Sequence, residues 1–200
     1  MKRTSLLQLT EHHSFVVDRR FGLSPLDEKM LTSAYQPIVG GLAASLYITL
    51  CSAIPADQCG VSEPFPLKRI FLSLGIEPNA KGRQCLIDET SKLEAAGLLQ
   101  TFRRFEGDEV IEYEFRLYPP LNPMQFFGGH HLWFLLKDRL GDAAAEGIRR
   151  AFIREGLQDA PFERVEDISA PFQDVFQIGF SASIRHHETS SAPAGEVERS

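Results

Sequence analysis

The chain has 200 residues, 43% of them hydrophobic, enough for one substantial core with an appendage, and no run approaches the roughly 20 apolar residues of a membrane-spanning helix. Its net charge is −6, but residues 155–200 carry nine acids against three bases and residues 1–154 carry 18 of each, so the body lacks the positive field of a strong non-specific nucleic-acid binder. Three cysteines with no C-x-x-C pair argue against a secreted disulfide framework and for reduced thiols in a cytoplasmic protein, and the broken apolar patch near Met1 is too short for a signal peptide.

Taken in order, residues 1–13 read as a flexible N-terminus. SFVVDRRFGL at 14–23 follows as a short extended arm whose Phe15, Val16 and Val17 favour a strand and whose edges need something to pair with. Ser24-Pro25 is an N-cap and first-turn proline, with Asp27 and Glu28 where the helix dipole favours acids. A first helix is predicted over about 25–35, burying Leu26, Met30, Leu31 and Ala34, with Pro37 ending it and Gly40-Gly41 turning the corner. The second helix carries Leu42, Ala43, Leu46, Tyr47, Leu50 and Ile54 on one face and is apolar nearly all round, which places it centrally.

After a loop at 55–66, Leu67, Ile70, Phe71 and Leu74 predict a short third helix, and Asn79 opens a fourth that runs to Gly97. The period then changes: residues 98–118 alternate, with Ile111, Tyr113, Phe115 and Leu117 on one face, and a link at 106–109 makes a hairpin. Helices, a helix-turn-helix and a hairpin in this order predict an α+β, mainly helical fold, a winged helix-turn-helix with residues 98–118 as the wing. LNPMQFF reads as a loop presenting Phe126 and Phe127. Two helices follow, with stripes Leu132, Leu135, Leu136, Leu140 and Ala144, Ile148, Ala151, Phe152. PFQDVF at 171–176 is a small aromatic cluster, the domain is expected over 14–178, and 179–200 has the composition of a disordered linker.

Chemistry is sparsely signalled. The pairs His12-His13, His130-His131 and His186-His187 are adjacent and diverge, unlike the i, i+4 spacing that grips zinc, so solvated or partly packed imidazoles are the commoner reading. No nucleophile elbow, phosphate loop or zinc-protease pattern is present; neither a catalytic residue, a metal nor a cofactor is expected. A DNA-reading surface would use Lys68, Arg69, Lys81 and Arg83 of the helix-turn-helix with Arg103 and Arg104 of the wing. Acids beside them (Asp88, Glu89, Glu94; Glu106, Asp108, Glu109, Glu112, Glu114) make a protein-association module at least as good a reading. Its candidate surface for self-association or a partner comprises the arm residues Phe15, Val16 and Val17, the wing residues Ile111, Tyr113 and Phe115, and Phe126 with Phe127. For the wing and loop aromatics, core packing is the default.

The residues also carry a family resemblance. LSPLDEKMLTSAYQPIVGGLAASLYITL at 23–50, followed by KLEAAGLLQTF at 92–102, YEFRLYPPLNPMQFF at 113–127, LWFLLKDRLG at 132–141 and PFQDVF at 171–176, resembles the N-terminal domain of the Gram-positive replication initiation and membrane attachment protein DnaB. That is the DnaD/DnaB primosome family, and not the replicative helicase of the same name. The resemblance implies a non-enzymatic part in replication initiation or restart and in helicase loading. It implies self-association as a dimer or tetramer, with a DnaD-like protein and a helicase loader as partners. DNA contact in the family falls largely to a second, C-terminal domain with a Y-x-x-x-I-x-x-x-W pattern. Trp133 is the only tryptophan here, so this chain corresponds to the N-terminal domain and the start of a linker. Membrane association would belong to the full-length protein. The alternative is a winged-helix DNA-binding transcriptional regulator.

Overall fold

The structure, a computed structural model, describes residues 9–10, 12–106, 109–153 and 170, and all but 170 belong to the first of the two units into which the chain divides, Met1–Leu157. The wing tip at 107–108, the cluster at 171–176 and the linker at 179–200 lie outside the described residues.

Ser24 starts α1 (Pro25–Met30) with a reciprocal cap: its hydroxyl accepts the Asp27 N–H at 3.2 Å, and the Asp27 carboxylate accepts the Ser24 N–H at 2.8 Å. The helical path does not end at Pro37. It passes through one π-helical turn, Leu31–Tyr35, into α2 (Gln36–Val39), with the Gln36 N–H reaching back five residues to the Leu31 carbonyl. Inside an α-helix a proline ring meets the carbonyl four residues back; the wider π turn shifts that bonding and lets Pro37 sit in the first turn of α2. The corner is Gly40 alone, at φ +92, a conformation glycine adopts without a Cβ clash. Helix α3 (Gly41–Cys51) then runs through the centre, burying Ala43, Ala44, Leu46, Tyr47, Leu50 and Cys51. Leu26, expected in the buried stripe of the first helix, is exposed, while Met30, Leu31, Ala34 and Tyr35 are buried.

The helix-turn-helix is α4 (Lys68–Ser73) and α5 (Ala80–Ala95). Asn79 caps α5 by accepting the Gly82 N–H at 2.9 Å. A Cβ on Gly82 would overlap the Glu77 carbonyl oxygen, so the turn packs too closely for any other residue. Leu86, Ile87, Thr90 and Leu93 face the core.

The sheet departs most from expectation. The arm becomes β1 (Ser14–Arg19) and lies inside the sheet, in the order β2-β1-β5-β4, where β2 is Gly60–Val61, β4 is Leu99–Glu106 and β5 is Glu109–Leu117. It pairs in parallel with β5, Phe15 opposite Tyr113 and Val17 opposite Phe115. On its other side the segment expected to be a plain loop supplies β2 (Gly60–Val61) and β3 (Phe65–Pro66), both antiparallel to β1. Buried Arg19 fixes the preceding turn by donating to the carbonyls of Pro55 and Gln58 at 2.7 and 2.8 Å. Packing extends upstream of Ser14, since Leu9 is fully buried in the core.

Beyond the wing, LNPMQFF is helical: Asn122 caps α6 (Pro123–Gly128) by accepting the Gln125 N–H, with Pro123 at its start. Helices α7 (His130–Leu140) and α8 (Asp142–Ile153) follow. Their buried stripes are narrower than expected: Leu136 is buried whereas Leu135 and Leu140 are exposed, and α8 turns Ala145, Ile148 and Phe152 inward instead of Ala144 and Ala151. Two tyrosine hydroxyls hold the link between wing and α6. Tyr47 donates to the Tyr118 carbonyl at 2.7 Å, and Tyr35 accepts the Leu121 N–H at 3.1 Å.

Candidate association and nucleic-acid surface

The helix-turn-helix presents mixed charge, with Lys68, Arg69, Lys81 and Lys92 exposed beside Asp88. On α5 the exposed polar positions are Lys81, Gln84, Asp88 and Lys92; Gln84 donates to Asp88 at 2.8 Å, and Lys92 pairs with Glu89 at 2.7 Å. Lys68 is exposed at the start of α4, and its neighbour Arg69 lays its guanidinium over the Phe65 ring, 4.2 Å from the centroid. Arg83 is half-buried one turn into α5. Lys68, Lys81 and Arg83 therefore sit near the starts of the two helices, and the acids Asp88, Glu89 and Glu94 follow farther along α5.

On the wing the strand register decides what the arginines do. Gln100, Phe102 and Arg104 of β4 share the outer sheet face with Glu112, Glu114 and Arg116 of β5 and with Ser14, Val16 and Asp18 of β1. Arg104 pairs with Glu112 at 3.1 Å and Glu114 at 2.7 Å; Arg116 pairs with Glu114 at 2.8 Å and Asp18 at 3.4 Å. Burial alone would raise the Glu114 carboxyl, but hydrogen bonds and charge from Arg104 and Arg116 outweigh it and hold its pKa below the usual carboxylate value. Arg103, on the other face, lies over the Phe105 ring at 5.1 Å, and Arg116 covers Phe102 at 4.5 Å. A phosphate approaching Arg104 would compete with two carboxylates already in place.

The aromatic and arm candidates are mostly inside. Phe15, Val16, Val17, Tyr113 and Phe115 are buried, so the expectation of open edges on the arm is corrected: both edges of β1 are paired within the chain. Phe126 and Phe127 are buried in a chain of ring contacts, Tyr35 to Phe126 at 5.1 Å, Phe126 to Phe127 at 5.2 Å and Phe127 to Trp133 at 5.5 Å. Their default reading as core stands. The side chain of Ile111 lies outside the described residues.

What the sequence reading passed over is Phe102 and Phe105, 39% and 52% exposed on β4, which is the outermost strand of the described sheet. An open groove lined by Glu94, Leu99, Gln100, Thr101 and Phe102 sits beside that edge. The alternation Leu99-Gln100-Thr101-Phe102 was the available signal. Elsewhere, His13 packs edge-on to Tyr113 at 5.3 Å and His131 is exposed. Among the described residues no three His, Cys, Asp or Glu side chains cluster to hold a metal. Burial pushes the Cys51 thiol up to about 12 despite the opposing charge of Arg19, which leaves it an inert core group. No described helix is long and apolar enough to cross a membrane.

Two comparisons place this architecture. Residues 10–196 match the family described as the DnaB N-terminal winged helix domain. Among solved structures the chain is similar to primosome protein DnaB (residues 1–300) from Geobacillus stearothermophilus, with 26% identity and a TM-score of 0.64. The match covers 84% of this chain and 60% of that one.

Proposed function

The chain belongs to the DnaB N-terminal winged helix family, and from that premise we propose that it acts in the replication-initiation primosome as a non-enzymatic protein-association module. In this reading the domain self-associates and docks a DnaD-like protein and a helicase loader, so that helicase loading depends on it through contacts and not through chemistry. The observation that carries the reading is the state of three arginines among the six basic candidates: Arg104 is held by Glu112 and Glu114, and Arg69 and Arg103 are stacked on rings, while Lys68 and Lys81 are exposed. A winged helix poised to read a groove keeps such side chains available for phosphate and bases. The solved relative is a primosome protein, which supports the same direction.

The test has two arms. Light scattering over a concentration series is expected to show a species larger than the monomer; a monomer throughout sinks self-association. Duplex binding is measured at two salt concentrations for the wild type and for Lys81→Ala with Arg83→Ala. Weak binding that the double variant barely changes is expected. Tight, salt-sensitive binding lost in that variant replaces the reading with a DNA-binding regulator.

A further inference from the structure

The outer edge of β4 is the one long strand edge of the described sheet with no strand beside it. It carries an exposed aromatic at its middle, where edges are usually short, charged or covered. The Tyr118 N–H donates to the Leu98 carbonyl at 3.0 Å. The two-residue alternation of an antiparallel ladder therefore aims the backbone groups of Gln100 and Phe102 at β5 and those of Leu99 and Thr101 at the outer edge. We infer that this edge is closed by the β4 strand of a second copy, running antiparallel with Phe102 opposite Phe102 across a two-fold axis. The inference rests on the self-association reading and specifies its surface and register.

Side-chain chemistry selects both occupant and register. In a continuous two-copy sheet the helical faces of both copies lie on one side, so residues opposite each other share a parity. Centring on Phe102 sets the two exposed rings face to face, Gln100 opposite Arg104, and Leu99 opposite exposed Phe105. No like charges then stand opposite, and rings and apolar groups meet. A slide of two residues one way brings Arg103 opposite Arg103. The other way, Phe102 faces Gln100 and Arg104 faces Leu98, and the ring pair is lost. The groove adds charge complementarity: its only charged lining residue is Glu94, and this register brings Arg103 of the second copy to the same sheet face.

Cross-linking of the full 200-residue chain tests this. Phe102 would occupy a non-hydrogen-bonded pair, where facing Cα atoms are about 4.5 Å apart, within disulfide reach. In a background with exposed Cys59 changed to Ser, Phe102→Cys is expected to form a reducible dimer under mild oxidation. Phe105→Cys, which faces Leu99 in this register, is expected to form at least tenfold less. Thr101→Pro, which removes an outward N–H at a position an edge strand tolerates, is expected to weaken assembly at least tenfold with an unchanged circular dichroism spectrum. A wild-type oligomer whose Phe102→Cys variant stays uncrosslinked, or whose Phe105→Cys variant links equally well, overturns the register and leaves self-association standing. A wild-type monomer overturns both.

Discussion

β1 and β4 are strands of similar length in one sheet, each rich in aromatic and β-branched residues, yet their circumstances are opposite. β1 is paired on both edges and largely buried, whereas among the described residues β4 has only β5 beside it and exposes Phe102 and Phe105. Local sequence is not what separates them. β1 owes its position to segments far along the chain, β5 about a hundred residues away in parallel and the short β2 and β3 in antiparallel. An N-terminal arm that looks like an invitation to a partner is thus absorbed by its own domain, and the wing's outer strand is left as the edge. On the proposed reading as a protein-association module, the arm drops out of the candidate contact surface and the wing edge stays in it.

The largest test of that contrast is Phe15→Ala. Phe15 is 3% exposed and packs on Phe65 and Phe115 with ring centroids 5.9 and 5.8 Å apart, so truncation leaves a cavity between β1, β3 and β5. The expected cost is about 3–5 kcal/mol, read as a shift of the urea midpoint with unchanged slope. A cost below about 1 kcal/mol would mean that the arm is not built into the core and that the contrast is wrong.

The same contrast explains what could be read in advance. Helix order, the central apolar helix, the Asn79 cap and the wing's alternation are local signals, and the structure carries each of them. The path through Pro37 was hidden because nothing in LTSAYQP announces a π turn, and an ordinary helix would break there. The sides of α7 and α8 were misjudged by about one position, since their leucines and alanines suit several stripes and only packing chooses among them. Strand partners were least legible. Two-residue strands at Gly60–Val61 and Phe65–Pro66 are too short to show alternation, and without them β1 looks half-open. For the site, the charges of the wing were visible in sequence, but their mutual neutralisation depends on register. Asp18 meets Arg116 only because β1 runs parallel to β5.

The ion pairs that tie the two strands through β5 give an intermediate effect. Glu114 stands between Arg104 of β4 and Arg116, which in turn reaches Asp18 of β1. Glu114→Gln is expected to cost about 1–2 kcal/mol, because two half-exposed arginines lose a charged acceptor. The sign of the pH dependence follows from its depressed folded-state pKa. The contribution is fully present above the ordinary carboxylate value and fades as the pH falls through the lower folded-state value. Urea titrations at neutral and at acidic pH should therefore bring wild type and variant together at the acid end. A gap that stays constant across the range would mean the carboxylate is not held by its arginines.

The smallest expected effect sharpens the comparison most. Phe102→Ala changes the same residue type as Phe15→Ala, in the same sheet, but on the outer strand, where the ring is 39% exposed and covered on one side by the Arg116 guanidinium. Losing that stacking and part of the ring's burial should cost under about 1 kcal/mol, measured at a dilution where the chain is monomeric. At concentrations where it assembles, any additional destabilisation of the variant belongs to association, because a partner that binds only the folded state adds stability by mass action. A concentration-independent loss as large as that of Phe15→Ala would mean Phe102 already packs within its own chain, and β4 would then resemble β1 and not an edge.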